Sequence, residues 1–285
     1  MVNNNCDISV LIPCFNNANS IKKLVKEICT LLENNRINYE IILIDDCSTD
    51  NSFDIIKNIS RENKYIKGLK HVQNYGQVPT FITGFKYAKA KCCVLISADL
   101  QEPPSLILKM YEEWKMGNDL VLALRKNRKD SNFSKIVSNL LFATLSVFYK
   151  KLPRRAFDYG LLDRKIYDSL KLCNPYLCFL QVAVLKESKK HKYVYYTRER
   201  SANKKTSWKL INKIGYALSA LYEIDNRILL KSYLFNLAII IKCVCMKVNI
   251  LDLFLLLISI FLVLSFVVLT LNASKKIPAL DEVVC

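Results

Sequence analysis

Glycine is scarce, at 6 residues in a chain of 285, and none of it forms a phosphate-binding pattern. No Gly-x-Gly-x-x-Gly follows the first apolar segment, and no Gly-x-x-x-x-Gly-Lys occurs anywhere. Both motifs work by letting backbone N–H groups close around phosphate, so a nicotinamide-binding Rossmann enzyme and a P-loop NTPase are disfavoured. The 11 cysteines show no regular spacing, which argues against a disulfide framework. Cys92-Cys93 falls in an apolar run, and Cys243-x-Cys245 has no second pair to complete a zinc site. Reduced thiols in a cytosolic compartment are the simplest reading. No secretory signal is expected, because Met1 to Asp7 is polar and runs directly into a strand. Acidic residues are outnumbered, 25 against 42 Lys and Arg, for a net charge of +17. That excess fits an anionic partner such as a membrane surface or a phosphorylated substrate, and it also fits drift in a chain rich in Lys, Asn and Ile. Nucleic acid is not expected as a partner, since no recognisable binding module is present.

At this length the chain can bury one large core or two small ones. Ile8 to Pro13 reads as a short strand stopped by proline, with Asn19 or Ser20 capping a helix whose apolar residues run from Ile21 to Leu32 at helical spacing. Strands are expected at 39–44, 66–72, 92–97 and 119–124, and helices at 52–62, 79–90 and 103–116. Strands alternating with helices imply an α/β fold with a mostly parallel sheet covered on both faces. Polar corners follow the strands. Asp45-Asp-Cys-Ser-Thr-Asp50 comes after the second, and Ser97-Ala-Asp99 comes after the 92–97 strand, just before Pro103-Pro104. Carboxylates at strand ends suit a bound cation and the hydroxyls of a nucleotide. An Asp in an ordinary strand-to-helix turn would look the same.

The second half changes character. Residues 134–149 and 208–225 read as amphipathic helices with basic flanks, suited either to a membrane interface or to a core-facing helix. Leu253 to Leu271 is interrupted only by Ser259, Ser265 and Thr270. At ~1.5 Å per residue it is about 28 Å long, enough to cross a bilayer core, and a transmembrane helix is expected there. Tyr233 to Met246 is apolar but shorter, and it forms either the first arm of a hairpin or a surface segment. Lys231, Lys242 and Lys247 favour a cytoplasmic start, and Lys275 and Lys276 after the span fit a hairpin with both ends inside better than a single span.

Several ordered motifs then carry a resemblance. They are Ile12-Pro-Cys-Phe-Asn16, Asp45 to Asp50, Asn74-Tyr-Gly76, Ala98-Asp-Leu-Gln-Glu-Pro-Pro104, Arg125-x-x-Arg128, Asp158-Tyr-Gly-Leu-Leu-Asp-Arg164, and Arg198-x-Arg200 with Lys205-Thr-Ser-Trp208. From about Ile8 to Ile224 the chain resembles the family 2 glycosyltransferases of GT-A fold, in particular their membrane-associated polyprenyl-phosphate and dolichol-phosphate sugar transferases. The resemblance implies a nucleotide-sugar-binding half over residues 1–130, an acceptor-binding half with interface helices over 131–227, and a membrane anchor over 228–285.

It also implies roles. Pro13 and Asn16 would line the nucleotide pocket, and Asp46 would contact base or ribose. Asp99 would hold a divalent metal, Mg²⁺ or Mn²⁺, with Gln101 as a nearby ligand. Arg125 and Arg128 would contact donor phosphates, and Arg198, Arg200 and Lys205 would hold an acceptor phosphate. Asp158 matches the family's catalytic carboxylate, although an Asp among Arg154, Arg155 and Arg164 is also a natural cap or ion-pair partner. The implied partners are a nucleotide sugar, polyprenyl phosphate or another lipid-linked acceptor, and the membrane, with the catalytic domain on the cytoplasmic face; a homo-oligomer is compatible. Three positions depart from the family's pattern. Ser97 stands in place of the first Asp of Asp-x-Asp, Asn17 in place of Glu, and Gly160 where lipid-phosphate transferases carry Arg. These leave open a lipid-linked glycan as acceptor, a surface-polysaccharide precursor, or a non-catalytic membrane homologue.

Overall fold

The computed structural model describes residues 6–126, 149–153, 157–175, 178–197 and 278–284, with a few isolated positions elsewhere. The chain divides into two compact units, one of Met1–Cys173, Leu180–Lys205 and Pro278–Cys285, the other of Asn174–Phe179 and Thr206–Ile277. Most of the second unit lies outside the described residues, and with it the expected helices at 134–149 and 208–225 and nearly all of the apolar runs 233–246 and 253–271. Among the described residues no helix is long and apolar enough to cross a membrane.

The first unit is built on an 8-stranded sheet. Its strands are β1 (Ile8–Cys14), β2 (Tyr39–Asp45), β3 (Ile66–His71), β4 (Cys92–Leu95), β5 (Leu120–Arg125), β6 (Tyr159–Asp163), β7 (His191–Tyr196) and β8 (Leu280–Val284), in the order β7-β5-β6-β4-β1-β2-β3-β8. β1, β2, β3 and β4 pair in parallel, as do β5 and β7. β6 runs antiparallel between β4 and β5, and β8 runs antiparallel on β3. The sheet is mostly parallel among the strands expected, and β6 and β8 make it mixed. Five of its strands match the sequence pattern, while β6, β7 and β8 were not foreseen.

The helices are α1 (Ala18–Asn34), α2 (Ser52–Glu62), α3 (Gln77–Tyr87), α4 (Leu106–Lys115), α5 (Arg164–Leu170) and α6 (Leu180–Glu187). Alternation along β1 sends Val10 and Ile12 into a core with Ile21, Leu24 and Ile28 of α1, Ile56 of α2 and Met110 of α4. The opposite face meets α3, which approaches closely. A Cβ on Gly84 would stand 2.8 Å from Leu11 Cδ1 and 3.2 Å from Ile44 Cδ1, so a larger residue would have to push these side chains aside.

Two local expectations are corrected. Pro13 does not stop β1, which continues to Cys14 in register with β2. The β1–β4 ladder has already ended at Leu11 opposite Leu95, so Pro13 sits where β1 has one strand neighbour and a missing N–H is tolerated. Helix α1 starts at Ala18, ahead of Asn19 and Ser20. The cap position falls on Asn17, whose Oδ1 accepts instead from the Phe15 N–H at 2.9 Å.

Candidate functional site

The strand directions collect the chemistry at one edge. β1 to β5 and β7 all point the same way, so Cys14, Asp45, His71, Arg125 and Tyr196 end at that edge, with Asp99 just beyond β4. Antiparallel β6 and β8 reach it with their first residues, which puts Asp158 and Ala279 there too. Ligands bind at the carboxyl ends of strands in open α/β sheets.

Three non-glycine residues at this edge adopt left-handed backbone: Asn16 (φ 55) after β1, Cys47 (φ 60) after β2 and Leu100 (φ 59) after β4. Asn accepts this conformation readily, whereas a Cys or Leu there is held by its surroundings, a pattern that concentrates at functional sites. The first two loops are stitched together. The Asn16 N–H donates to Ser48 Oγ at 2.9 Å, and Asn16 Oδ1 accepts from the Thr49 N–H at 2.9 Å and its hydroxyl at 3.2 Å. Asp50 accepts from Ala18 N–H with one oxygen and from Ser52 N–H with the other, serving the starts of α1 and α2 together.

Asp45 and Asp46 are both buried and differ in their partners. Asp46 Oδ1 accepts from the Tyr75 N–H at 2.9 Å and lies 2.9 Å from His71 Nδ1, while Oδ2 accepts from the Gly76 N–H at 2.7 Å. His71 is itself fully buried and reaches Thr83 Oγ1 through Nε2 at 3.0 Å. Asp46 therefore braces the 71–76 loop. Asp45 accepts from the Ser48 N–H through Oδ2 at 3.1 Å, and its Oδ1 has no hydrogen-bond partner among the described residues. Burial pushes its carboxyl above the ordinary range, with Ser48 opposing.

After β4, Asp99 Oδ1 accepts from the Gln101 N–H at 3.1 Å. The Gln101 side chain turns inward, and its Oε1 has no partner among the described residues. A carboxylate two residues from an unsatisfied amide oxygen is a hard-oxygen donor set that fits Mg²⁺ or Mn²⁺, which take a few protein oxygens and complete their shell with water and phosphate.

A second cluster surrounds Arg125. Its Nε donates to Tyr196 Oη at 3.1 Å, and its Nη2 reaches Glu102 Oε1 at 3.5 Å and Asp158 Oδ2 at 3.4 Å. Tyr196 Oη donates on to Glu102 at 3.4 Å, and Gln181 Nε2 reaches Asp158 Oδ1 at 3.4 Å. Burial opposes the charge on Arg125, but Asp158, Tyr196 and Glu102 outweigh it and raise its pKa. The Tyr196 phenol is pushed up to about 12, first by burial and then by Glu102.

Thus the structure joins Asp158 to Arg125, Asp99 to Gln101, and Asn16 to the loop after Asp46, with Pro13 in β1 beside them. Arg128, Arg198, Arg200 and Lys205 lie outside the described residues. Glu102, Tyr196, Gln181 and His71 were not singled out from sequence. Glu102 stood inside the Ala98–Pro104 motif, and His71 is one of only 2 histidines; the other two carried no local signal.

A parallel-centred sheet with carboxylates at this edge is the arrangement of a GT-A-type glycosyltransferase. The chain belongs to glycosyl transferase family 2, whose family model matches residues 9–188. It is 27% identical over 227 residues to an uncharacterised glycosyltransferase of Bacillus subtilis, covering 77% of this chain and 68% of that one. It is 33% identical over 187 residues to the undecaprenyl-phosphate 4-deoxy-4-formamido-L-arabinose transferase of Aeromonas hydrophila, covering 63% of this chain and 56% of that protein. Among solved structures, glucosyl-3-phosphoglycerate synthase of Mycobacterium tuberculosis, in complex with Mn²⁺, UDP-glucose and phosphoglyceric acid, shares the fold at a TM-score of 0.57 and 16% identity, over 76% of this chain and 79% of that one.

Proposed function

We propose that this glycosyltransferase moves a sugar from a nucleotide-sugar donor to polyprenyl phosphate, with inversion, at the cytoplasmic face of a membrane in which its apolar 228–285 region is anchored. The observation that carries the reading is the single edge on which Asp46, Asp99, Arg125 and Asp158 converge. The likeness to the Aeromonas hydrophila transferase supports the acceptor class, and the Leu253–Leu271 run supports the anchor.

On this reading residues 1–130 bind the donor. Pro13 and Asn16 line the nucleotide, and Asp46 sets the loop beside it. Asp99 and Gln101 would hold a divalent cation, as the Mn²⁺ and UDP-glucose complex of the Mycobacterium tuberculosis enzyme also suggests. When bound, the cation supplies charge neutralisation to the departing nucleoside diphosphate. Asp158 faces the acceptor. A lipid phosphate oxygen is already anionic, so Asp158 chiefly orients it, whereas a hydroxyl acceptor would need Asp158 as a general base. Arg125 positions Asp158. Arg198, Arg200 and Lys205, with Arg128 on the donor side, supply charge-assisted contacts to phosphate.

The test is a screen of nucleotide sugars against polyprenyl phosphate with detergent-solubilised full chain and Mn²⁺, reading released nucleoside diphosphate. Turnover only when lipid phosphate is present is expected. Turnover with a glycan acceptor alone, or with no acceptor, sinks the polyprenyl-phosphate assignment, and silence across all donors favours a non-catalytic homologue.

A further inference from the structure

Strand β8 follows the apolar run in sequence yet closes the sheet beside the Asp46 loop. The Val72 N–H donates to Ala279 O at 3.2 Å, and the Ala279 N–H donates to Tyr75 Oη at 3.1 Å. Tyr75 is thus gripped at both ends, because its own N–H is one of the donors that Asp46 accepts. The β3–β8 register shifts between Lys70, opposite Glu282, and His71, opposite Leu280, so the extra residue is Asp281 of β8, next to the position where His71 turns inward to Asp46 and Thr83.

Two ion pairs fasten the strand, Lys57 to Glu282 at 2.6 Å and Lys70 to Asp281 at 3.1 Å. Each is partly exposed and modest by itself. Their role is alignment, since Lys70 lies in β3 and Lys57 on α2, so the pairs tie β8 to both elements. Space for the fit comes from Gly68, where a Cβ would stand 2.7 Å from Ile56 Cγ2, 3.1 Å from Ser60 Oγ and 3.7 Å from Val284 Cβ.

We propose that β8 is a strap on the donor site, in which Ala279, Asp281 and Glu282 act as positioning residues that hold Tyr75 and β3 so that Asp46 keeps the Tyr75 and Gly76 amides in place. This rests on the reading that Asp46 belongs to the donor site. The strap operates through hydrogen bonds and charge pairs, so it can be weakened without removing any residue placed in the donor pocket.

The experiment is amide hydrogen exchange on the full chain in detergent. Tyr75→Phe keeps the ring and removes the oxygen that Ala279 donates to. Exchange at residues 75 and 76 is expected to speed up on the order of tenfold, the effect of one lost hydrogen bond, while amides of β1 and β4 stay as they were. Asp281→Lys with Glu282→Lys should loosen the same two amides, and adding Lys57→Glu with Lys70→Glu should restore them. Unchanged exchange at 75 and 76, an equal rise throughout the sheet, or failure of the charge swap to restore protection overturns the strap. In the unmodified chain, UDP or GDP with Mn²⁺ should slow the same amides. If the variants loosen the loop but neither nucleotide protects it, Asp46 is removed from the donor site and β8 is not removed from the loop.

Discussion

The guanidinium of Arg125 lies 3.4 Å from Asp158, the carboxylate just before β6, and it holds that carboxylate at the end of the sheet where β4 gives way to its loop. The same guanidinium reaches Glu102 at 3.5 Å, and the three side chains are unequally buried: 1% exposed for Glu102, 12% for Arg125 and 35% for Asp158.

That inequality sets the order of the mutational effects. Arg125→Ala removes the guanidinium that faces buried Glu102 at 3.5 Å, and removing one partner of a buried pair costs roughly 3–5 kcal/mol. The Tyr196 hydroxyl still donates to Glu102, so the lower end of that range is expected in denaturant unfolding. Asp158→Ala leaves Arg125 paired with Glu102 and should cost well under half as much. Equal losses would contradict the unequal roles.

Asp158→Asn keeps the shape of the side chain and weakens its grip on Arg125. Turnover with polyprenyl phosphate should fall by on the order of tenfold, short of the roughly 100-fold or more of a lost acid–base group because the acceptor oxygen is already anionic, while nucleotide affinity stays within about twofold. Loss of nucleotide binding in step with turnover would mark Asp158 as structural.

Asp99→Ala should abolish turnover and the gain in nucleotide affinity that Mn²⁺ confers, measured by titration with and without chelator. Gln101→Leu replaces the unsatisfied oxygen with apolar surface. It should not lower thermal stability, but it should weaken Mn²⁺ several-fold. Undiminished Mn²⁺ affinity in both variants would exclude this corner as the metal site.

Asp45 gives a pH signature. Burial raises its pKa in the folded chain, so the folded state binds the proton more tightly than the unfolded state. Its contribution to stability is therefore full below the ordinary carboxylate value of about 3.9 and is lost as pH rises through the raised folded value. Asp45→Asn removes that loss. The variant should melt higher than the unmodified chain at pH 7, with the gap closing towards pH 3. A gap that widens in acid would overturn the sign.

β8 also constrains membrane topology. It shares a sheet with β1 to β3, so it lies on the same side of any bilayer as Asp46. If Leu253–Leu271 spans, the region between Thr206 and Ile277 crosses an even number of times. Protease-sensitive tags before Met1 and after Cys285 should be cleaved from one side, and a tag at Asn249 from the other, in a protein that resists carbonate extraction. Tags at the two ends on opposite sides are incompatible with β8 in the sheet.

Much of the first 125 residues was legible in the sequence because their strands are buried on both faces and read as nearly continuous apolar runs, broken only by the buried Ser9: Ile8–Ile12, Ile41–Ile44, Cys92–Ile96 and Leu120–Leu124 are nearly all inaccessible to solvent. β7 and β8 were not legible because each exposes alternate residues at a sheet edge, where Tyr195 and Val283 face solvent. β6 hid inside a motif noticed for its carboxylate. Its Gly160 pairs with Leu95 of β4 and Leu122 of β5, and a Cβ there would press to 3.0 Å on both Leu122 Cδ2 and Val121 O. That packing gives Gly160 a structural role in the sheet.

The sequence by itself determined the alternating α/β class, the polar corners at Asp45-Asp46 and Asp99, and the long apolar run near the end, because these depend on local pattern: side-chain period, strand-ending residues and span length. Only the tertiary structure decided that Asp158 meets Arg125, and that Ala279 reaches Tyr75. Both contacts require a strand to enter the sheet antiparallel to its neighbours, so that its first residue arrives at the edge where the parallel strands end. Strand direction is set by long-range hydrogen-bond register, and no local run of residues records it.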